Sequence, residues 1–155
     1  MTDPKTLTSV AEFHKTFQHP ILDEPSIPSE TRCKLRVSLI AEELNELEEA
    51  IKEKNLVEIA DALCDIQYVL SGAVLEFGLK DKFNSLFEEV QRSNMSKACK
   101  SEEEAKATQA HYLAKGVESY YKEIDGLYLV FRSSDNKTLK SINYSPANLK
   151  SILEQ

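Results

Sequence analysis

Along most of the chain apolar residues recur every third or fourth position, the spacing that lays one stripe along an α-helix. From Val37 the stripe runs Val37, Ile40, Leu44, Leu47 and Ile51, an alternation that makes a seam in a helical bundle. Ser29 stands where it caps that helix. Lys54-Asn55 interrupts the pattern, and a second long helix is predicted over 56–77, closed by Gly78 just past its end. Its apolar positions include Leu56, Ile59, Leu63, Cys64, Ile66, Val69, Leu70, Val74 and Phe77 and reach almost round the circumference. Such a helix belongs in the middle of a bundle, with Cys64 in the core.

Shorter elements flank this pair. Ser9 and Glu12 have capping-box spacing and open a short helix through Phe17, with Phe13 and Phe17 on one face. Prolines then mark an irregular connector over 20–28. Downstream, Asp81 caps a third helix carrying Phe83, Leu86, Phe87 and Val90, and this stripe continues into Asn94 and Lys97. Ser101 with Glu104 is another capping box, starting a helix over 102–115 that stops at Gly116. In the tail the period changes to two: 127–132 reads as a strand, Asp135-Asn136 as a tight turn and 138–142 as the returning strand. Ser145-Pro146 begins a terminal helical turn. The prediction is an all-α fold, a four-helix-type bundle with a small C-terminal β-hairpin extension. A helical core occupies 1–100; an extra helix, the hairpin and the terminal turn, over 101–155, pack on it as one domain.

Composition removes several classes of function. With 26 acids against 19 bases the net charge is −7, so no general nucleic-acid surface is expected. No apolar run approaches the ~20 residues of a membrane span, and Met1-Thr2-Asp3-Pro4-Lys5 lacks the layout of a signal peptide. The expected location is the cytoplasm, with no membrane partner. Cys33, Cys64 and Cys99 are widely spaced and without a Cys-x-x-Cys pair, and His14, His19 and His111 are scattered. Neither a disulfide framework nor a zinc site follows. Gly-rich phosphate loops, nucleophile elbows and dinucleotide fingerprints are absent.

What remains is acid. Glu42-Glu43-x-x-Glu46 lies on the first long helix and Glu58-x-x-Asp61-x-x-x-Asp65 on the second. These spacings project from one side of a helix, so two antiparallel helices can aim several carboxylates at one point. Most acidic runs are solvated faces, and Glu48, Glu49 and Glu53 fit that account. Glu43 and Glu46 differ, because they share a sector with Arg36, Leu39 and Ala50, partly apolar company. Asp61 and Asp65 sit on an otherwise apolar helix, in a sector that Tyr68 continues. Gathered carboxylates repel unless a cation holds them, and oxygen-only ligands suit Mg²⁺, with Mn²⁺ as an alternative. The matching substrate is a phosphate ester or anhydride.

The order Glu-Glu-x-x-Glu, an acid pair on the next helix, then Asn-x-x-Lys at the end of the one after resembles the all-α nucleoside triphosphate pyrophosphatases. That group holds the MazG proteins, the dimeric dUTPases and phosphoribosyl-ATP pyrophosphatase. Two stretches carry the resemblance: Asp61-Ala-Leu-Cys-Asp65-Ile-Gln-Tyr68-Val-Leu-Ser-Gly72 and Glu89-Val-Gln-Arg92-Ser-Asn94-Met-Ser-Lys97. It implies that Glu43 and Glu46 bind the metal with the acids of the second helix, and that Asn94 and Lys97 contact substrate. Relatives commonly write the second motif Glu-x-x-Asp. Aligned on Tyr68, this chain has Asp65 as the final acid but Ala62 where Glu is usual, with Asp61 as the substitute; the register Glu58 and Asp61 stays open.

The expected activity is Mg²⁺-dependent hydrolysis of a nucleoside triphosphate to a monophosphate and pyrophosphate, serving to clear surplus or non-canonical nucleotides. Glu43, Glu46, Asp61 and Asp65 are the metal ligands, Glu42 and Glu43 the catalytic acids, and Arg36, Tyr68, Arg92, Asn94 and Lys97 the substrate contacts. A homodimer or homotetramer is expected, since a helix apolar on most faces needs more cover than three others supply. The alternatives are a non-catalytic helical assembly module and a phosphohydrolase of a non-nucleotide substrate.

Overall fold

The structure, a computed structural model, describes residues 4–154, so Met1 to Asp3 of the N-terminal stretch read above lie outside it. In order it comprises α1 (Thr6–Thr16), α2 (Glu30–Glu53), α3 (Leu56–Glu76), α4 (Phe83–Met95), α5 (Glu102–Leu113), β1 (Ser119–Ile124), β2 (Leu127–Arg132) and α6 (Leu149–Leu153). It is mostly helical with one small antiparallel hairpin. Two compact units, Met1–Phe83 and Asn84–Gln155, divide the chain, whereas the sequence groups α4 with the helices before it.

The first unit is an α2–α3 hairpin with α1 packed on α3. Ser29 caps α2 by accepting from the Arg32 amide. At the far end Lys54 takes left-handed φ and Asn55 caps α3 through the Val57 and Glu58 amides, so two residues reverse the chain. Gly78 ends this pair with φ +67, and a Cβ there would run into the Glu24 carbonyl, which only glycine permits. α1 opens a turn earlier than its capping box predicts, with Ser9 inside the helix as the donor to the Lys5 carbonyl.

Of the expected seam only Ile40 and Leu47 are half-buried, and its other three residues stay out of the packing. Val37, Leu44 and Ile51 are 69%, 57% and 55% exposed, while the buried residues of α2 are Arg36 and Ala50. The second sector, the one that carries Glu43, therefore faces α3. On α3 the core positions are small or near its end, Ala62, Ser71, Gly72, Val74 and Leu75, and Leu56, Leu63, Leu70 and Cys64 are exposed rather than central. Small residues let the two backbones approach, and the larger apolar side chains stay outside.

The second unit is built on Cys99, Ala105, Val130 and Leu139, with Tyr112, Val117, Tyr121 and Tyr128 packed around them. Ser101 caps α5 as expected, and Gly116 follows it at φ +74. The hairpin differs from the prediction: β2 pairs with β1 upstream, in register Ser119↔Arg132 through Ile124↔Leu127. Asp125 and Gly126 both take positive φ, 52° and 77°, the two-residue turn whose twist matches paired strands. Asp135-Asn136 does turn, but the segment after it makes one bridge, Phe131↔Thr138, and then leaves the sheet. α4 starts at Phe83, two residues after Asp81, and α6 is capped by Asn148, not opened by Pro146. Among the described residues no helix is long and apolar enough to cross a membrane.

Candidate functional site

Four carboxylates, Asp65, Glu46, Glu42 and Asp61, act on Glu43 across the α2–α3 hairpin. Glu43 and Asp65 are half-buried, and Glu42, Glu46 and Asp61 are exposed beside them. Burial pushes the Glu43 carboxyl above its ordinary value, and the charges of Asp65, Glu46, Glu42 and Asp61, in that order, push it further. No basic group figures among these causes. The site is thus a like-charge cluster in which two members, Glu43 and Asp65, are partly withdrawn from water, an unfavourable arrangement for bare acids. Among the described residues no three His, Cys, Asp or Glu side chains close into a set gripping an ion; these carboxyls stand as repelling neighbours. Glu58 has a simpler account, exposed in the first turn of α3 where its charge favours the helix N-terminus. Ala62 is packed at 3% exposure, so the departure from Glu-x-x-Asp falls on a position inside the helix pair.

Arg36 does not join this cluster. Its guanidinium is buried and donates from Nη2 to Glu76 Oε1, with His14 Nε2 at 3.3 Å, while Arg32 Nε donates to Glu76 Oε2 at 3.0 Å. The substrate role expected of Arg36 gives way to a buried ion pair. Gly72 makes room for it, since a Cβ there would meet Arg36 Nη1 at 2.6 Å. Burial alone would raise the Glu76 pKa; hydrogen bonds and charge from Arg32 and Arg36 outweigh it and hold the carboxyl below its ordinary value. His14 is held below its usual value mainly by burial, against the pull of its bond to the Pro20 carbonyl. The signal for this network, an acid within Val74-Leu75-Glu76-Phe77 opposite two arginines of α2, is readable only once the helices are known to be antiparallel.

Tyr68 lies where α1 meets α3, 38% exposed, with its ring edge-on to Phe13 at 5.6 Å. It borders an apolar cavity of about 400 Å³ shared with Ser9, Val10, Leu63, Cys64 and Gln67.

In the second unit Asn94 and Lys97 come together, Lys97 Nζ donating to Asn94 Oδ1 at 2.8 Å. Arg92 is otherwise engaged. Its Nε and Nη2 donate to the two oxygens of Glu89 at 2.7 and 2.8 Å, and its Nη1 donates to Ser145 Oγ at 3.1 Å. That fork, with the Asn148 amide, holds Glu89 down to about 2. Arg92 is a fastener between α4 and the C-terminal segment, not the free substrate contact expected.

Residues 10–94 match the family model of phosphoribosyl-ATP pyrophosphohydrolase, a stretch that contains both acid clusters and Asn94 and stops short of Lys97. The uncharacterized protein L479 of Acanthamoeba polyphaga mimivirus is 27% identical, with 94% of each chain covered. The chain therefore belongs to the phosphoribosyl-ATP pyrophosphohydrolase family, an all-α, MazG-like group of nucleotide pyrophosphatases.

Proposed function

We propose that this chain is a Mg²⁺-dependent nucleoside triphosphate pyrophosphohydrolase, with Mn²⁺ able to replace Mg²⁺. The observation that carries the reading is the gathering of Glu42, Glu43 and Glu46 of α2 with Asp61 and Asp65 of α3 around the half-buried Glu43, within the stretch that matches the family. Function supplies the reason that stability does not. The donor set is all carboxylate oxygen, which fits a hard divalent cation, and Glu43, Glu46, Asp61 and Asp65 would hold it. Such an ion would supply charge neutralisation at the phosphates and lower the pKa of the attacking water. Asp61, the last of the four charges acting on Glu43, stands in for the acid that Ala62 lacks.

The residues of the chain account for the other parts of the reaction. Glu42, exposed at the margin of the cluster, orients and accepts the proton of the attacking water. The water oxygen bonds to phosphorus, the link between the α- and β-phosphates breaks, and pyrophosphate leaves with the bridging oxygen. Lys97 supplies positive charge to the phosphates and Asn94 donates from its amide without adding charge. Phosphorus NMR of a reaction with dUTP or dCTP tests this: pyrophosphate and monophosphate are expected together, and stepwise release of orthophosphate would overturn the assignment.

The uncovered stripe of Val37, Leu44 and Ile51, with Leu56, Leu63 and Leu70 on the next helix, supports assembly into a homodimer or homotetramer. Sedimentation equilibrium is expected to return a dimer or tetramer mass. A monomer at micromolar concentration would remove this part of the proposal.

A further inference from the structure

Lys97 has a neighbour that the family match, ending at residue 94, does not reach. After Leu139 the chain turns back over the end of α4, and its placement there is fixed by buried bonds. Leu139 is 7% exposed and donates from its amide to the Val130 carbonyl at 2.8 Å; Ser141 is 4% exposed and donates from its amide to the carbonyl of Lys97 itself at 3.1 Å. Lys140, between them, also donates its own amide to Tyr112 Oη at 3.2 Å. Lys140 is therefore an exposed side chain on an anchored backbone, beside Lys97.

Tyr144 joins the two. Its hydroxyl accepts from Ser93 Oγ at 3.0 Å, four residues before Lys97, and the Lys140 ammonium sits 4.2 Å from its ring centroid. The phenol is held below its ordinary value first by the Ser93 bond, against burial, and then by the charges of Lys140 and Lys97, so both ammoniums act on one group. Lys97 Nζ has the neutral Asn94 oxygen and Lys140 has an aromatic face. Among the described residues neither Lys97 nor Lys140 stands in an ion pair with a carboxylate. In a chain with seven more acids than bases, two ammoniums without a carboxylate partner, carried on backbone segments that the Ser141 bond joins, are a place for an anion longer than one phosphate.

We propose that Lys97 and Lys140, fixed side by side by the Ser141 bond to Lys97 and by Tyr144, form a two-ammonium clamp for a polyphosphate chain. Lys140 is then a substrate-binding residue contributed by the C-terminal extension. The assignment of the polyphosphate to a nucleoside triphosphate rests on the function proposed above.

The test is calorimetric binding of inorganic tripolyphosphate in EDTA, so that no metal ion contributes to holding the anion. Wild type is expected to bind, with affinity falling as salt rises. Lys140→Ala is expected to weaken binding about tenfold, one charge-assisted contact, Lys140→Arg to retain it, and Lys115→Ala, an equal loss of charge elsewhere, to leave it unchanged. No binding by wild type, or equal affinity in wild type and Lys140→Ala, overturns the clamp. Turnover separates the two proposals. Binding without hydrolysis of any nucleoside triphosphate fails the proposed function and leaves the clamp standing; hydrolysis with unchanged KM in Lys140→Ala fails the clamp alone.

Discussion

Glu43→Gln is expected to lose metal-dependent pyrophosphate release by about two orders of magnitude or more while unfolding at a higher temperature than the parent in EDTA. Both effects come from the same charge. Glu43 is the carboxyl on which burial and the charges of Asp65, Glu46, Glu42 and Asp61 converge, and its pKa is raised. An acid with a raised folded pKa binds its proton more tightly in the native state, so the chain without metal is more stable below that pKa and loses the benefit as pH rises through it. At neutral pH the ionised group is a cost, and glutamine removes it while keeping the shape. The same substitution takes a ligand oxygen charge from the cation. Thermal unfolding in EDTA against pH, together with turnover in Mg²⁺, reads both. Undiminished turnover would contradict the ligand assignment, and a lower unfolding temperature would contradict the reading of the cluster as repulsive.

The second large effect concerns a residue remote from the chemistry. Glu76→Ala is expected to destabilise the folded chain by about 3–5 kcal/mol, because it strands the Arg36 guanidinium in the α2–α3 interface. Arg36 already has an unpartnered buried Nε, so its charge rests on Glu76. Glu76→Leu combined with Arg36→Met, which removes both charges and keeps apolar volume, is expected to restore most of the loss. Acid should act in the same direction as the single substitution. The folded pKa of Glu76 lies below its ordinary 4.5, so the stability it contributes is present above that value and lost as pH falls through the folded pKa. Chemical denaturation at neutral pH and below pH 4 measures both. A Glu76→Ala variant as stable as the parent would mean that the buried triad carries no stability.

The helices were legible because their caps and breakers are local: Ser29, Asn55, Gly78 and Ser101 work where a reader of the sequence places them. The packing was not, because an apolar stripe says that a face wants cover without saying what covers it. Val37, Leu44 and Ile51 make the best stripe on α2, yet the helix turns Arg36, Glu43 and Ala50 toward α3. Glu43 was found by its apolar neighbours on the wheel; Glu76, buried at 1%, was missed because its partners are some forty residues away. The hairpin error has a local cause. Asp125-Gly126 is the stronger turn signal and makes the hairpin, whereas the expectation rests on Asp135-Asn136 alone, on the other side of Leu127–Arg132. Arg92 illustrates a similar limit, since a cation near Asn94 reads as a substrate contact until Glu89 and Ser145 are seen to hold it.

The central claim is that the carboxylates gathered by α2 and α3 hold a divalent cation, and Mn²⁺ binding followed by electron paramagnetic resonance tests it most directly. The account predicts that wild type depletes the free Mn²⁺ signal at a saturable site, that Mg²⁺ competes, and that Glu43→Gln abolishes the depletion in folded protein. Wild type that leaves the free signal untouched, or a Glu43→Gln variant that binds as well as its parent, would contradict it.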